Sequence, residues 1–355
     1  GYIYDDSSKD EYNNTRKVKW TDIGEWEHPG KAVMKTLTDI TQYTEYVEKL
    51  NAMFDTEDDD DDIDVEEEPL NTYTKENFLA DVYISEKQYD TLEGLLRKKL
   101  NVILQGAPGV GKTYAAKRLA YSMMGVKDPE RVQLVQFHQS YSYEDFVEGF
   151  RPSSTGMNFE IKKGAFYNFC KKASDDKENE YFFIIDEINR GNLSKIFGEL
   201  FMLIEADKRG NDIQLLYSSD KFSVPKNVYI IGMMNTADRS LAMIDYALRR
   251  RFAFYEMKPA FESEGFREYQ YGLENDKFNK LIDCVISLNQ KIADDESLGE
   301  GFCIGHSYFC DIEEIKENTL TDIVEFEIIP LLKEYWFDEP SKVKEWTDRL
   351  RSAVK

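Results

Sequence analysis

The sequence predicts an α/β fold, a parallel sheet covered on both faces by helices and followed by a smaller helical part. Three observations predict it. Short, nearly continuous apolar runs recur through the middle of the chain, as at Tyr181–Asp186 (YFFIID), and such runs mark strands buried on both faces. Segments with apolar residues at helical spacing separate these runs. From about Ala260 the runs fade and helical patterning takes over.

Taken in order, Asn101–Gln105 is an apolar strand running straight into GAPGVGKT, and a helix is predicted from Thr113 to Met124. Arg131–Phe137 reads as the second strand, Tyr181–Asp186 as the third, Val228–Met233 as the fourth and Phe252–Met257 as the fifth. Asn192–Lys208 predicts one amphipathic helix, with Leu193, Ile196, Phe197, Leu200, Phe201 and Ile204 at helical spacing. Leu241–Arg251 predicts a short helix. Gly156–Lys163 and Gln214–Lys226 look like hairpins inserted in the core, facing a pore or merely decorating the surface.

The run Asp55–Glu68 (DTEDDDDDIDVEEE) holds eleven acids, and Pro69 closes it. Charge this dense repels itself and buries nothing, so it predicts a disordered linker; an acidic tract that binds a partner is the alternative. The expected divisions are a short module at 1–54, the linker at 55–69, the α/β core at 70–259 and the helical part at 260–355. In the first module Arg16–Trp20 looks strand-like and Lys31–Leu50 partly helical.

With 355 residues, 41 % of them hydrophobic, the chain can bury a core larger than one typical domain requires. Lysine and arginine number 45 against 68 acids, a net charge of 45 − 68 = −23. That sign excludes a protein that grips DNA over its whole surface, and any such contact must come from a local patch or another subunit. No apolar run approaches the roughly 20 residues of a membrane span. The polar, acidic start has no signal-peptide pattern, so a cytoplasmic chain is expected. The start also lacks Met, as a fragment or processed chain would. The four cysteines form no CxxC pair and the three histidines have no zinc-ligand spacing, so reduced thiols and no zinc site are expected.

Gly106-Ala107-Pro108-Gly109-Val110-Gly111-Lys112-Thr113 matches GxxxxGK[ST] in full, with a strand before it and a helix after it. Its glycines let consecutive N–H groups curl toward phosphate oxygens, and the helix adds its positive end. Lys112 reaches the β- and γ-phosphates, and Thr113 offers a hydroxyl to Mg²⁺. Tyr114, next in the chain, completes this nucleotide-binding set. The strand at 181–186 ends in Asp186-Glu187, beyond the carboxyl end of the sheet where ligands lie. Asp186 is expected beside the Mg²⁺ and Glu187 as the base that polarises the attacking water. The fourth strand leads into Met233-Met234-Asn235-Thr236-Ala237-Asp238. Asn235 there can bond the lytic water or the γ-phosphate, or simply cap the next helix. Arg249-Arg250-Arg251 can complement a helix dipole or supply an arginine to a neighbouring molecule's transition state, with Arg250 and Arg251 the preferred pair.

Five blocks in this order, GAPGVGKT, FHQSYSYEDFVEGFRP, IIDEINRGNLSKIFGEL, MNTADRSLAMIDYALRRRF and GFCIGHSYF, closely resemble the McrB family, the motor subunits of McrBC-type modification-dependent restriction systems. The resemblance runs from about Phe78 to Arg351. It implies an AAA+ P-loop core with a helical lid, a GTP substrate with Mg²⁺, a hexameric ring with sites between neighbours, and a McrC-like nuclease partner that cuts DNA. Asn235 resembles the family's sensor asparagine, Asp238 completes the Asn-Thr-Ala-Asp signature, Arg250 and Arg251 match arginines at the subunit boundary, and His306 and Ser307 match a lid segment near the nucleotide. Base contacts are expected from around Val82 to Leu95 and from the lid. An ATP-using remodeller resembling the MoxR group is the rival reading. Around Trp20 and Trp26 the start resembles the tail of an EVE-type (PUA-like) domain, a fold that reads modified bases; core tryptophans on a structural strand are the equal alternative.

Overall fold

The computed structural model describes residues 71–152, 158–238, 246–312 and 314–355 of the chain. It also describes two short strands, Ile3–Tyr4 and Asn14–Thr15, paired antiparallel. The expected elements at Arg16–Trp20 and Lys31–Leu50, the acidic run, and residues 241–245 of the helix expected to begin at Leu241 lie outside the described residues.

Five strands form the central sheet: β1 (Asn101–Gly106), β2 (Val132–Gln136), β3 (Tyr181–Asp186), β4 (Val228–Asn235) and β5 (Ala253–Glu256). Their order is β5-β1-β4-β3-β2, and every pairing is parallel. The pleat divides their side chains between two cores. Val102, Leu104, Phe182, Ile184 and Ile231 pack on one face, together with the helical part. Ile103, Phe183, Ile185 and Ile230 pack on the other, against a cluster that includes Phe146, Phe166 and Phe197. Burial on both faces is why these strands read as continuous apolar runs rather than alternating ones.

Two helices precede β1. Helix α1 (Lys75–Asp81) starts at Thr74, and α2 (Glu86–Lys99) starts at Ser85, whose hydroxyl accepts from the Gln88 backbone N–H while the Gln88 side chain reaches back. Helix α3 (Lys112–Met124) follows β1, and α4 (Ala165–Asp175) precedes β3.

The single helix expected over Asn192–Lys208 is broken. A helix covers Leu193–Phe197, a 3₁₀ turn Gly198–Phe201 and another Ala206–Lys208. Gly198 makes the break: its φ is +50°, and a Cβ there would stand 2.9 Å from the Tyr143 ring. Periodicity found the buried face, and tertiary packing overrode its continuity.

Two hairpins flank this region. One pairs Glu148–Pro152 with Phe159–Lys163, so its first strand lies earlier than the expected start at Gly156. The other pairs Ile213–Gln214 with Lys221–Phe222. A buried carboxylate, Glu148, ties them: it accepts from Lys163 Nζ at 2.7 Å and from the backbone N–H groups of Tyr217 and Ser218 at 2.9 Å each. Lys163 Nζ also reaches Asp220 at 2.6 Å.

The helical part contains α5 (Glu264–Gly272), α6 (Asp276–Ala293) and α7 (Pro340–Ala353). Phe278, Leu281, Ile282, Val285, Leu288 and Ile292 make the buried stripe of α6 at helical spacing. Among the described residues no helix is long and apolar enough to cross a membrane.

Candidate nucleotide site

The Gly-rich turn leaves β1 beside the central strand β4. Gly106 stands opposite Asn235 of β4 in register, and the Thr236 N–H donates to the Gly106 carbonyl at 3.1 Å. Gly109 and Gly111 have φ of +75° and +77°, conformations that cost a residue with a Cβ about 1 kcal/mol or more. With them the turn curls back and α3 starts at Lys112.

Lys112 is buried, 9 % exposed, and its Nζ donates to the carbonyls of Gly106 at 3.0 Å and Ala107 at 2.9 Å. Burial pushes its ammonium down to about 8, against the pull of the Glu187, Asp186 and Asp238 carboxylates. Those acids therefore share the lysine's surroundings.

At the tip of β3, Asp186 Oδ1 accepts from the Glu187 N–H at 3.0 Å. Glu187 turns out of the strand with φ +51° and ψ +45°, left-handed for a non-glycine residue. Such a backbone costs about 1–3 kcal/mol and collects at functional positions. Its carboxylate is held from two sides. Asn235 Nδ2 donates to Oε1 at 2.8 Å. Arg190 Nε lies 3.2 Å from Oε2, an ion pair short of hydrogen-bond geometry that leaves this buried oxygen without a hydrogen bond. Arg190 Nη2 reaches Asp238 Oδ2 at 3.1 Å, and the two carboxylates, Glu187 first, hold the guanidinium above its ordinary range. Sequence reasoning missed Arg190. The signal was its place three residues beyond Glu187, one helical turn away.

The lid segment closes over the turn. Gly305 N–H donates to the Pro108 carbonyl at 3.2 Å and Ser307 N–H to the Gly109 carbonyl at 2.9 Å. His306 is buried beneath this contact; its Nδ1 accepts from the Ala260 N–H at 3.1 Å, which leaves the proton to Nε2. Burial pushes this imidazole down to about 4.

A cavity of about 280 Å³ opens beside the start of α3, lined by Val82, Tyr83, Tyr114, Glu256, Glu262 and His306 among others. Tyr114 carries the Arg118 guanidinium over its ring. Asp81, at the rim, is already engaged by Tyr73 Oη at 2.7 Å and Arg118 Nε at 2.9 Å.

Not every expected residue converges. Arg250 and Arg251 end the helix Tyr246–Arg251, and their side chains pair with Glu205 at 3.6 Å and 2.9 Å. Thr113 sits exposed at the first turn of α3, where its hydroxyl can face a nucleotide-bound cation.

Residues 101–252 match a family model described as AAA domain (dynein-related subfamily), and residues 280–344 match one described as McrB, alpha-helical lid domain. The described body is an AAA+ core with an McrB lid. The chain is also 50 % identical over 291 residues to the type IV methyl-directed restriction enzyme EcoKMcrB subunit of Escherichia coli (strain K12), an alignment covering 79 % of this chain and 63 % of that protein. It is 25 % identical over 247 residues to the type II restriction enzyme BsuMI component YdiS of Bacillus subtilis (strain 168), covering 57 % of this chain and 72 % of that one. A solved structure from Cytophaga hutchinsonii aligns over 62 % of each chain at 16 % identity and a TM-score of 0.36, too distant to weigh. The AAA+ core, the McrB lid and the 50 % identity support a place in the McrB family.

Proposed function

We propose that the chain is a GTP-hydrolysing AAA+ motor subunit of a modification-dependent DNA restriction complex. The convergence of Lys112, Asp186, Glu187 and Asn235 on one turn of the sheet carries the hydrolase reading. Similarity to a methyl-directed restriction enzyme subunit supports a restriction complex acting on modified DNA; the homo-oligomeric ring and the McrC-like nuclease partner follow from the resemblance of the sequence blocks to the McrB family.

The residues fit a magnesium nucleotide. Glu187 Oε2 is a buried oxygen without a hydrogen bond, and the Lys112 ammonium is satisfied only by carbonyls of its own loop. Thr113 and Asp186 would hold the cation, which neutralises charge on the transferred phosphoryl group. Lys112 exchanges its loop carbonyls for phosphate oxygens. Asn235 fixes the Glu187 carboxylate, and Glu187 takes the proton of the attacking water. An arginine of the neighbouring subunit, Arg250 or Arg251, completes the site.

The cavity beside α3 supports guanine. Glu256, Glu262 and Asp311 line it, and guanine presents N–H donors where adenine presents an acceptor. We assign the base to this cavity, between the segment at Val82–Ile84 and the lid. We read the chain as an N-terminal DNA-reading module at 1–54, a linker at 55–69, the core at 70–259 and the lid at 260–355.

Two measurements test this reading. Glu187→Gln should bind nucleotide and lose turnover; wild-type turnover in that variant removes Glu187 as the base. Competition between GTP and ATP should favour GTP, whereas a clear ATP preference selects the MoxR-like remodeller.

A further inference from the structure

The two candidate trans arginines are adjacent in sequence but differ in environment. The Arg251 side chain is 15 % exposed, pairs with Glu205 Oε1 at 2.9 Å and lies over the Phe201 ring at 4.3 Å. Its carbonyl accepts from Asn101 Nδ2 at 3.1 Å. Asn101 is itself fixed: Nδ2 also donates to the Ile204 carbonyl at 2.7 Å, and Oδ1 accepts from Arg209 Nη2 at 2.7 Å. Arg209 is buried, 3 % exposed, and anchored on the carbonyls of Ile204 and Val228. Arg251 is thus gripped at backbone and side chain by the body of its own subunit.

Arg250 is the contrary case. Its side chain is 78 % exposed and, among the described residues, its ion pair is with the second oxygen of Glu205, at 3.6 Å. Two neighbouring guanidiniums repel, and one carboxylate, 14 % exposed, stands against both. An exposed pair at that distance holds weakly, so Arg250 can leave at little cost.

We propose that Glu205 is the positioning residue of the arginine pair: it fixes Arg251 as a strut within its own subunit so that Arg250 is presented to the nucleotide site of the next. The proposal rests on the reading of the chain as a ring-forming hydrolase. Arg250 is then the residue that touches the transferred phosphoryl group, and Glu205 acts only through it.

The test uses the full chain and its GTP turnover. Glu205→Gln keeps shape and removes charge; kcat should fall about 10- to 100-fold at unchanged KM, and Glu205→Asp should recover part of it. Arg250→Ala should lose about 100-fold or more, as trans arginines do. Adding Glu205→Gln to Arg250→Ala should then change nothing further, which a general structural defect would not give. Mixing Glu205→Gln with Lys112→Ala chains tests it in trans. The second chain has a dead site but an intact arginine, so mixed rings should regain turnover above the sum of the two. Undiminished turnover in Glu205→Gln, additive losses in the double variant, or no recovery on mixing overturns the proposal. Absence of turnover in the unmodified chain under every nucleotide instead overturns the hydrolase reading. Nucleotide binding and thermal melting of each variant separate misfolding from misplacement, and a variant that unfolds gives way to Glu205→Asp as the deciding one.

Discussion

Gly305 lies directly against Gly109: a Cβ on Gly305 would fall 1.9 Å from the Gly109 carbonyl carbon and 2.4 Å from the Val110 nitrogen. Lid and phosphate loop are in contact backbone to backbone, with no side chain to absorb a change. Gly305→Ala should therefore force the two apart. Overpacking of this kind costs about 1–3 kcal/mol, and nucleotide affinity should drop with it. Denaturant melting and nucleotide titration read both. A variant with unchanged melting and affinity shows that the contact is not part of the working state.

Arg190 bridges Glu187 and Asp238. Its removal leaves Glu187 held by Asn235 alone and Asp238 without this partner. Arg190→Ala should lower turnover about 10- to 100-fold through misplacement of the base, with nucleotide affinity kept. Arg190→Lys should restore part of it. Equal losses in both variants, or a loss of binding, contradict this role.

Lys112 supplies a pH test. Burial lowers its ammonium from 10.5 to about 8, and phosphate binding needs the charged form. Affinity should be constant below about pH 7 and weaken as pH rises through 8, by up to about tenfold per unit. Fluorescent-nucleotide titrations across this range measure it. Lys112→Arg, charged throughout, should flatten the profile.

His306 supplies a second test, of the opposite sense on the pH axis. Its value falls from 6.5 unfolded to about 4 folded. Between these values the unfolded chain binds more protons, so stability is complete above about 6.5 and declines as pH falls toward 4. The difference amounts to about 3 kcal/mol at most. Melting temperature against pH should show this slope, and His306→Gln should reduce it. An unchanged slope assigns acid sensitivity elsewhere.

The sheet was legible because its strands are buried on both faces and so read as apolar runs. The phosphate loop and the acidic tip were legible because their chemistry fixes residue types at fixed spacing. The break at Gly198 was not, since it depends on Tyr143 arriving from elsewhere in the chain. Helix α2 carried a signal that went unread, the Ser85 and Gln88 capping pair. Arg190 carried a signal that went unread, its place one turn beyond Glu187, whereas Glu205 was hidden because its partners Arg250 and Arg251 lie far away in sequence.

Glu148 joins the two hairpins by gripping the second through its backbone and the first through Lys163. From the exposed Phe159 strand a chain of contacts leads to Tyr217, whose hydroxyl donates to Glu144, and so to Tyr143, which stands against the glycine where the neighbouring helix breaks. The two hairpins thus share a single anchor, a carboxylate with no exposed surface.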